Sequence, residues 1–327
     1  MIDVCAGELF VLGFDGLHAP PPSLVRLHER WGLGGAILFA RNVEAPDQVR
    51  GLTAALRAMA PEPWFHVSTD QEGGRFQRLP PPAFGTYPAA CDVDPADAFT
   101  VGERMGRELA GLGVSLDLAP VLDTHTNPDN PIINVRSFSP DPSAVATAGK
   151  AFVRGLKRHG VHACGKHFPG HGDTALDSHL DLPRVDHVRE RLDAVELHPF
   201  REVIADGQLS CVMPAHVVYP ALDPDRPATY SSLVLEGVLR RELGFTGVAL
   251  TDDLGMAGAL SFGDLVDCCV EAFAAGCDQL LVCEHHDRHE ACVAAVAEAI
   301  AKSAALTARF ATSRARIRRT FAGAKGS

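Results

Sequence analysis

The sequence predicts an α/β chain folded as a single (β/α)8 TIM-like barrel. Three observations carry this: eight short apolar runs, helix-periodic stretches between them, and a length of 327 residues, somewhat above that of a typical barrel. The runs, rich in Val, Ile, Leu, Phe and Cys, fall near Leu9 to Phe14, Gly35 to Phe39, Trp64 to Asp70, Val114 to Val121, Val161 to His167, Leu209 to His216, Gly247 to Asp252 and Cys277 to Cys283. Between the third and fourth, Ala98, Val101, Met105, Leu109 and Leu112 recur at three and four residues and so form one helical face. Val145, Ala148, Phe152 and Leu156 repeat the pattern, and Gly160 stands where a left-handed cap would end that helix. Near-continuous apolar strands alternating with helices imply a parallel sheet covered by helices, with an open doubly wound sheet as the alternative the pattern leaves. No linker, low-complexity block or repeat divides residues 1–327, so one domain is expected, with its longer loops after strands three to six.

Charge and composition exclude several functions. The formal charge of -11 repels a polyanion, so no nucleic-acid partner is expected. The opening MIDVCAGELFVLGFDGLHAP lacks a basic n-region and a small-residue cleavage site. No apolar run approaches the roughly 20 residues that cross a bilayer, so no membrane association is expected. Nine cysteines without regular spacing do not read as a disulfide framework but as buried free thiols, which places the chain in a reducing, cytoplasmic compartment. Cys268 and Cys269 are adjacent and Cys91 is isolated, so the paired spacing of a zinc knuckle is missing. Neither a metal nor a cofactor is expected, and nothing demands more than a monomer.

Barrel enzymes place their reactive groups at the carboxyl ends of the strands. Here those ends are polar: Asp70 on strand three, Lys166 and His167 on strand five, His216 on strand six, Asp252 and Asp253 on strand seven. Within strand three His66, Ser68 and Asp70 share one face by the period of two, and that face is expected to line the barrel interior. The densest segment is KHFPGHGDTALDSHLDLP, residues 166–183. Pro169, Gly170 and Gly172 break helical periodicity, so a long mobile loop after strand five carries Asp177 and His179. Two chemistries suit it. Its His and Asp residues could join His216 around a divalent metal, or Asp177 could orient the His179 imidazole and raise its pKa, making a proton donor without metal. The run EHHDRHE, 284–290, reads as a solvated loop and helix start, and the arginines of TSRARIRRTF as an exposed helix face.

Several blocks, in order, are similar to glycoside hydrolase family 3 β-N-acetylglucosaminidases of the NagZ type: GGAILFARN (34–42), DQEGGRFQR (70–78), NPIINVRSFSPDP (130–142), the 166–183 segment, PAHVVYPALDPDRPATYS (214–231) and TDDLGM (251–256). The resemblance covers nearly the whole chain. It implies a retaining hydrolase that removes terminal β-linked N-acetylglucosamine through a covalent glycosyl-enzyme. In that reading Asp252 is the nucleophile, His179 the general acid and base, and Asp177 its dyad partner, while Asp253 is structural. Asp70, Arg78, Arg136, Lys166 and His167 are implied contacts to the sugar, with His216 lining the same pocket. Lys166 and His167 are neighbours that should face opposite ways, so the strand must bulge or end there if both reach the sugar.

The expected substrate is a small carbohydrate or muropeptide, N-acetylglucosamine linked to 1,6-anhydro-N-acetylmuramic acid with or without peptide. A phosphorylase using the same site, with phosphate in place of water, is the nearest alternative, and a metal-dependent barrel hydrolase the second. Two positions depart from the family pattern: Val135, where a polar residue is usual before the arginine of RSF, and Phe76, where a smaller aliphatic is common.

Overall fold

The computed structural model describes residues 5–174 and 182–322. Eight strands, each short and apolar, form one sheet: β1 Phe10–Leu12, β2 Gly35–Leu38, β3 His66–Thr69, β4 Leu116–Asp117, β5 His162–Phe168, β6 Cys211–Pro214, β7 Val248–Ala249 and β8 Leu280–Val282. Every pairing is parallel, and spatial order follows chain order from β1 to β7, with β8 beside β1. The sheet curls until its two ends meet at a parallel bridge between Leu250 and Gln279. The expected α/β architecture with eight parallel strands is therefore present, one strand in each apolar run.

Helices cover the outer face. Residues 98 and 145 begin the two expected apolar stripes, and the helices run Ala98–Gly111 and Pro142–Lys157. They approach closely because glycines face each other's backbone: a Cβ on Gly102 would lie 2.4 Å from the Phe152 carbonyl oxygen. Pro142 suits the first helical turn, where its missing N–H has no partner to lose, and Asp141 accepts the Ser143 amide as N-cap. The remaining crossovers are Pro22–Trp31, Pro46–Met59, Leu197–Ala205, the π-wound Leu233–Glu242, Leu265–Ala275 and His289–Lys302. One contiguous apolar core joins sheet and helices, with Phe168 of β5 packed edge-on to Phe200 of the following helix. Each such ring, fully buried, contributes about 1.5–3 kcal/mol.

The helix Ala304–Ala322 corrects one expectation. Its arginines are not a solvated face, although Arg319 is exposed. Arg314 and Arg318 converge on buried Glu8, and Arg316 on buried Asp278, so the helix seats on the amino end of the barrel. The partners lie in distant parts of the sequence, which is why periodicity alone reads as exposure. Among the described residues the nine cysteines form no disulfide, and seven of them are buried. Among the described residues no single helix is long and apolar enough to cross a membrane; the pair His289–Lys302 and Ala304–Ala322 is bent by 119°.

Candidate active site

A parallel sheet brings the carboxyl ends of all its strands to one rim. Three short-range devices carry side chains there. Asp70 follows β3 directly, and Gln71–Gly73 turns back as a hairpin with Phe76–Gln77, which sets Glu72 and Arg78 beside it. Past β4, Asp123 and the turn Asn134–Arg136 come over the rim. At β5 the register with β6 shifts between Lys166 and Phe168, and the Lys166–His167 peptide is cis. The strand is irregular where two neighbouring side chains were expected to need it, and both reach one cluster.

That cluster is an ion network. Lys166 Nζ lies 2.7 Å from Asp70 Oδ1 and 2.7 Å from Glu72 Oε1. Arg136 clasps Glu72 with both arms of its guanidinium, at 2.8 and 2.9 Å. A further Arg136 contact, Nη2 to His167 Nε2 at 3.4 Å, leads to Asp123, whose Oδ2 receives His167 Nδ1 at 2.7 Å. This chain suits the tautomer with the proton on Nδ1 and leaves Nε2 as acceptor. Arg78 stands at the edge, 3.6 Å from Asp70 and over the Phe39 ring at 5.3 Å.

Burial and charge oppose each other here. Burial alone would raise the Glu72 carboxyl, but the Arg136 and Lys166 charges outweigh it and hold the group well below the usual carboxylate range. Burial would likewise lower Lys166 and Arg136; Asp70 and Glu72 raise the lysine, and Glu72 the arginine, above their ordinary values. Asp123 is buried too, yet His167 keeps it low. Asp117 lies beneath the cluster: its Oδ1 accepts the Gln71 amide at 3.0 Å, and burial pushes its carboxyl well above the ordinary range. His171 is pushed down to about 4 by burial and then by His167, and is neutral.

The end of β7 presents Asp252 and Asp253 in different states. Asp253 Oδ1 accepts the amides of Gly255 at 3.1 Å and Cys283 at 3.0 Å, tying β7 to β8. Asp252 is partly exposed, and its Oδ1 accepts the Asp253 amide at 2.8 Å. His216 is buried, with Nδ1 at 2.9 Å from Thr229 Oγ1 and Nε2 at 3.1 Å from the Asp253 carbonyl oxygen. Asp177 and His179 lie outside the described residues. Among the described residues no group of three or more His, Cys, Asp or Glu side chains could hold a metal ion. In EHHDRHE, His289 is buried and bonded to the Glu284 carbonyl oxygen at 3.0 Å.

Two residues of the network escaped the sequence reading. Glu72 is two positions from Asp70, the spacing that puts both on one side of an extended chain, and this was its available signal. Asp123 sits just past β4, a strand whose carboxyl end supplied no candidate.

The Glycosyl hydrolase family 3 N terminal domain matches residues 20–320. Beta-hexosaminidase A of Pseudoalteromonas piscicida is 42% identical over 288 residues, which is 80% of this chain. The matched region spans 48% of that protein, about half its length. The structure of a family 3 β-N-acetylglucosaminidase from Paenibacillus sp. str. FPU-7 superposes with TM-score 0.92 at 39% identity, covering 100% of this chain and 64% of the other. NagZ from Neisseria gonorrhoeae, in complex with N-trifluoroacetyl-D-glucosamine, superposes with TM-score 0.78 at 32% identity over 95% of this chain and 98% of its own. With its parallel eight-stranded sheet and this rim of paired charges, the chain belongs to glycosyl hydrolase family 3.

Proposed function

We propose that the chain is a retaining, exo-acting β-N-acetylglucosaminidase that removes terminal non-reducing N-acetylglucosamine from peptidoglycan turnover fragments. The observation that carries this is a partly exposed Asp252 on the same barrel rim as the fixed cluster of Asp70, Lys166, Arg136 and His167. Relatives named for this activity support it, one of them holding an N-acylated glucosamine. Asp252 attacks the anomeric carbon, the glycosidic bond breaks, and His179 gives its proton to the leaving oxygen while Asp177 steadies the imidazolium. Water then attacks the glycosyl-enzyme, His179 takes its proton, and Asp252 leaves. Asp70, Arg78, Arg136, Lys166 and His167 hold the sugar's hydroxyls and acetamido oxygen, and His216 lines the wall. Cysteines that form no disulfide support a reducing, cytoplasmic setting, and the enzyme acts as a monomer without metal.

The test is hydrolysis of 4-nitrophenyl N-acetyl-β-D-glucosaminide, with EDTA present, by wild type, Asp252→Asn and His179→Ala. Wild type is expected to turn over in chelator and to release the β-anomer first, while Asp252→Asn loses on the order of 10⁴-fold in kcat. An inactive wild type, or variants that match it, would overturn the assignment. Loss in EDTA with recovery in zinc would move the chemistry to a metal, and a sugar 1-phosphate formed in phosphate buffer would make phosphate the acceptor.

A further inference from the structure

The amino end of the barrel carries a groove, opposite the rim that holds the candidate active site. It runs beside the helix Ala304–Ala322 in two joined parts. The first, of about 890 Å³, lies between that helix and the loop before β7 and is lined by Arg240, Phe245, Thr246, Thr312, Arg316 and Arg319. The second, of about 330 Å³, continues past Thr246 and Arg319 to Lys157 and the loop before β6. Thr312, Ala315, Arg316 and Arg319 fall at the spacing of one helical face, so a single stripe of the helix walls the first part. Ala311 and Ala315 leave space there that longer side chains would fill.

Charge distinguishes this groove. No aspartate or glutamate lines either part, in a chain whose formal charge is -11. Arg240 and Arg316 share one carboxylate, the buried Asp278. Arg319 is exposed and donates to the Thr246 carbonyl oxygen at 2.7 Å, and Lys157 is exposed; among the described residues neither pairs with a carboxylate. Asp206 and Glu242, acids close in sequence to the lining loops, are taken by Arg154 and Arg189. The Arg240 side chain, 6% exposed, gives Nη1 to the Phe245 and Gly247 carbonyl oxygens at 2.9 and 2.7 Å, and its buried Nε has no hydrogen-bond partner among the described residues. Burial lowers the Arg240 guanidinium below its ordinary value; Asp278 raises it, and the Arg316 and Arg309 charges oppose that.

We propose that this groove is a binding site for a phosphate dianion, free or carried by a small organic body, held by Arg319 together with Arg316 and Lys157. Guanidinium forks match phosphate oxygens, and a concave surface of one sign focuses its field on an anion. Net charge decides the size of the ligand. Charges more than a Debye length of about 8 Å away are largely screened, so a small anion in the groove meets chiefly these cations, while a long polyanion would extend over the acidic remainder of the surface. Thr246 and Thr312 add hydroxyls, and Phe245 and Ala315 add apolar surface for an organic body. The site stands independently of the chemistry assigned to the opposite rim.

The test reads the thermal midpoint of the full chain in inorganic phosphate, glucose 6-phosphate or sodium chloride at matched ionic strength. Either phosphate at about 10 mM is expected to raise Tm by about 2 °C over chloride in wild type. Arg319→Gln and Lys157→Gln should each lose most of that rise, and the double variant all of it, with far-UV circular dichroism unchanged. An equal response to the two phosphates identifies the dianion as sufficient, and a larger response to glucose 6-phosphate adds the organic body. No rise over chloride, or a rise that both variants retain, would overturn the site. Retention of a short DNA oligonucleotide in place of the small phosphates, lost in the same variants, would overturn the choice of a small anion. Because the Lys157 side chain is exposed, its variant carries the comparison should Arg319→Gln not fold.

Discussion

The two ends of this barrel each bury an ion cluster built from the same kinds of side chain, and the two are completed differently. At the amino end Glu8 takes Arg314 at 2.7 and 2.8 Å and Arg318 at 2.8 and 3.1 Å, while Asp278 takes Arg240 at 2.5 Å, Ser313 at 2.8 Å, Arg316 at 3.1 Å and the Ala249 amide at 3.0 Å. Arg318 also covers the Trp64 ring at 4.0 Å, and Phe321 sits 4.3 Å from His66 and 5.0 Å from His162. At the carboxyl end Glu72, Lys166 and Arg136 are buried as deeply, yet Asp70, Arg78 and Asp252 keep part of their surface exposed. Desolvating a charge is costly unless it is paired and hydrogen-bonded. At the amino end that pairing seats a helix; at the carboxyl end it orients groups toward the mouth.

Substitutions at either end sharpen this contrast. The largest effect is expected for Glu72→Gln, which leaves two buried cations facing a neutral amide: a loss of about 3–5 kcal/mol in denaturant unfolding and roughly 10²-fold in kcat/KM. Equal stability to wild type would mean that the network is not the rigid support described. Asp278→Asn keeps the shape at the opposite end but strips the counter-charge from Arg240 and Arg316, so about 3 kcal/mol of stability should go while activity per folded molecule stays constant. A kcat change in that variant would show the ends to be coupled.

Acid should act at the amino end. Burial holds His66 at about 3 and His162 at about 4, below 6.5, so both are neutral in the fold, whereas the unfolded chain takes up protons near 6.5. The unfolded state therefore binds more protons below that pH, and stability is full above 6.5 and falls toward 4. His162→Gln should flatten that fall by at most about 3 kcal/mol, read as stability against pH. An unchanged slope would remove His162 from the account. The smallest effect is expected for Phe76→Leu at the carboxyl end. The Arg136 guanidinium stands 4.9 Å from the Phe76 ring, a contact worth about 0.5–1 kcal/mol, so KM should rise roughly two- to fivefold with kcat unchanged.

What the chain alone determined is where strands run and which of their ends are polar. Those follow from local rules: a period of two or near 3.6 decides which face is apolar, and eight alternations leave few topologies. Asp70, Lys166, His167 and Asp252 were legible for that reason, each standing at or beside a strand end. The tertiary structure decided which charge meets which. Glu72 bridges Lys166 and Arg136, Asp123 holds His167, His187 meets Asp173, and Arg314, Arg316 and Arg318 of the last helix pair with Glu8 and Asp278. These pairings join residues from 14 to more than 300 positions apart, and no periodicity in one segment encodes its partner in another. Burial and charge pairing are properties of the closed barrel, and they exist once the strands have brought both partners to the same end.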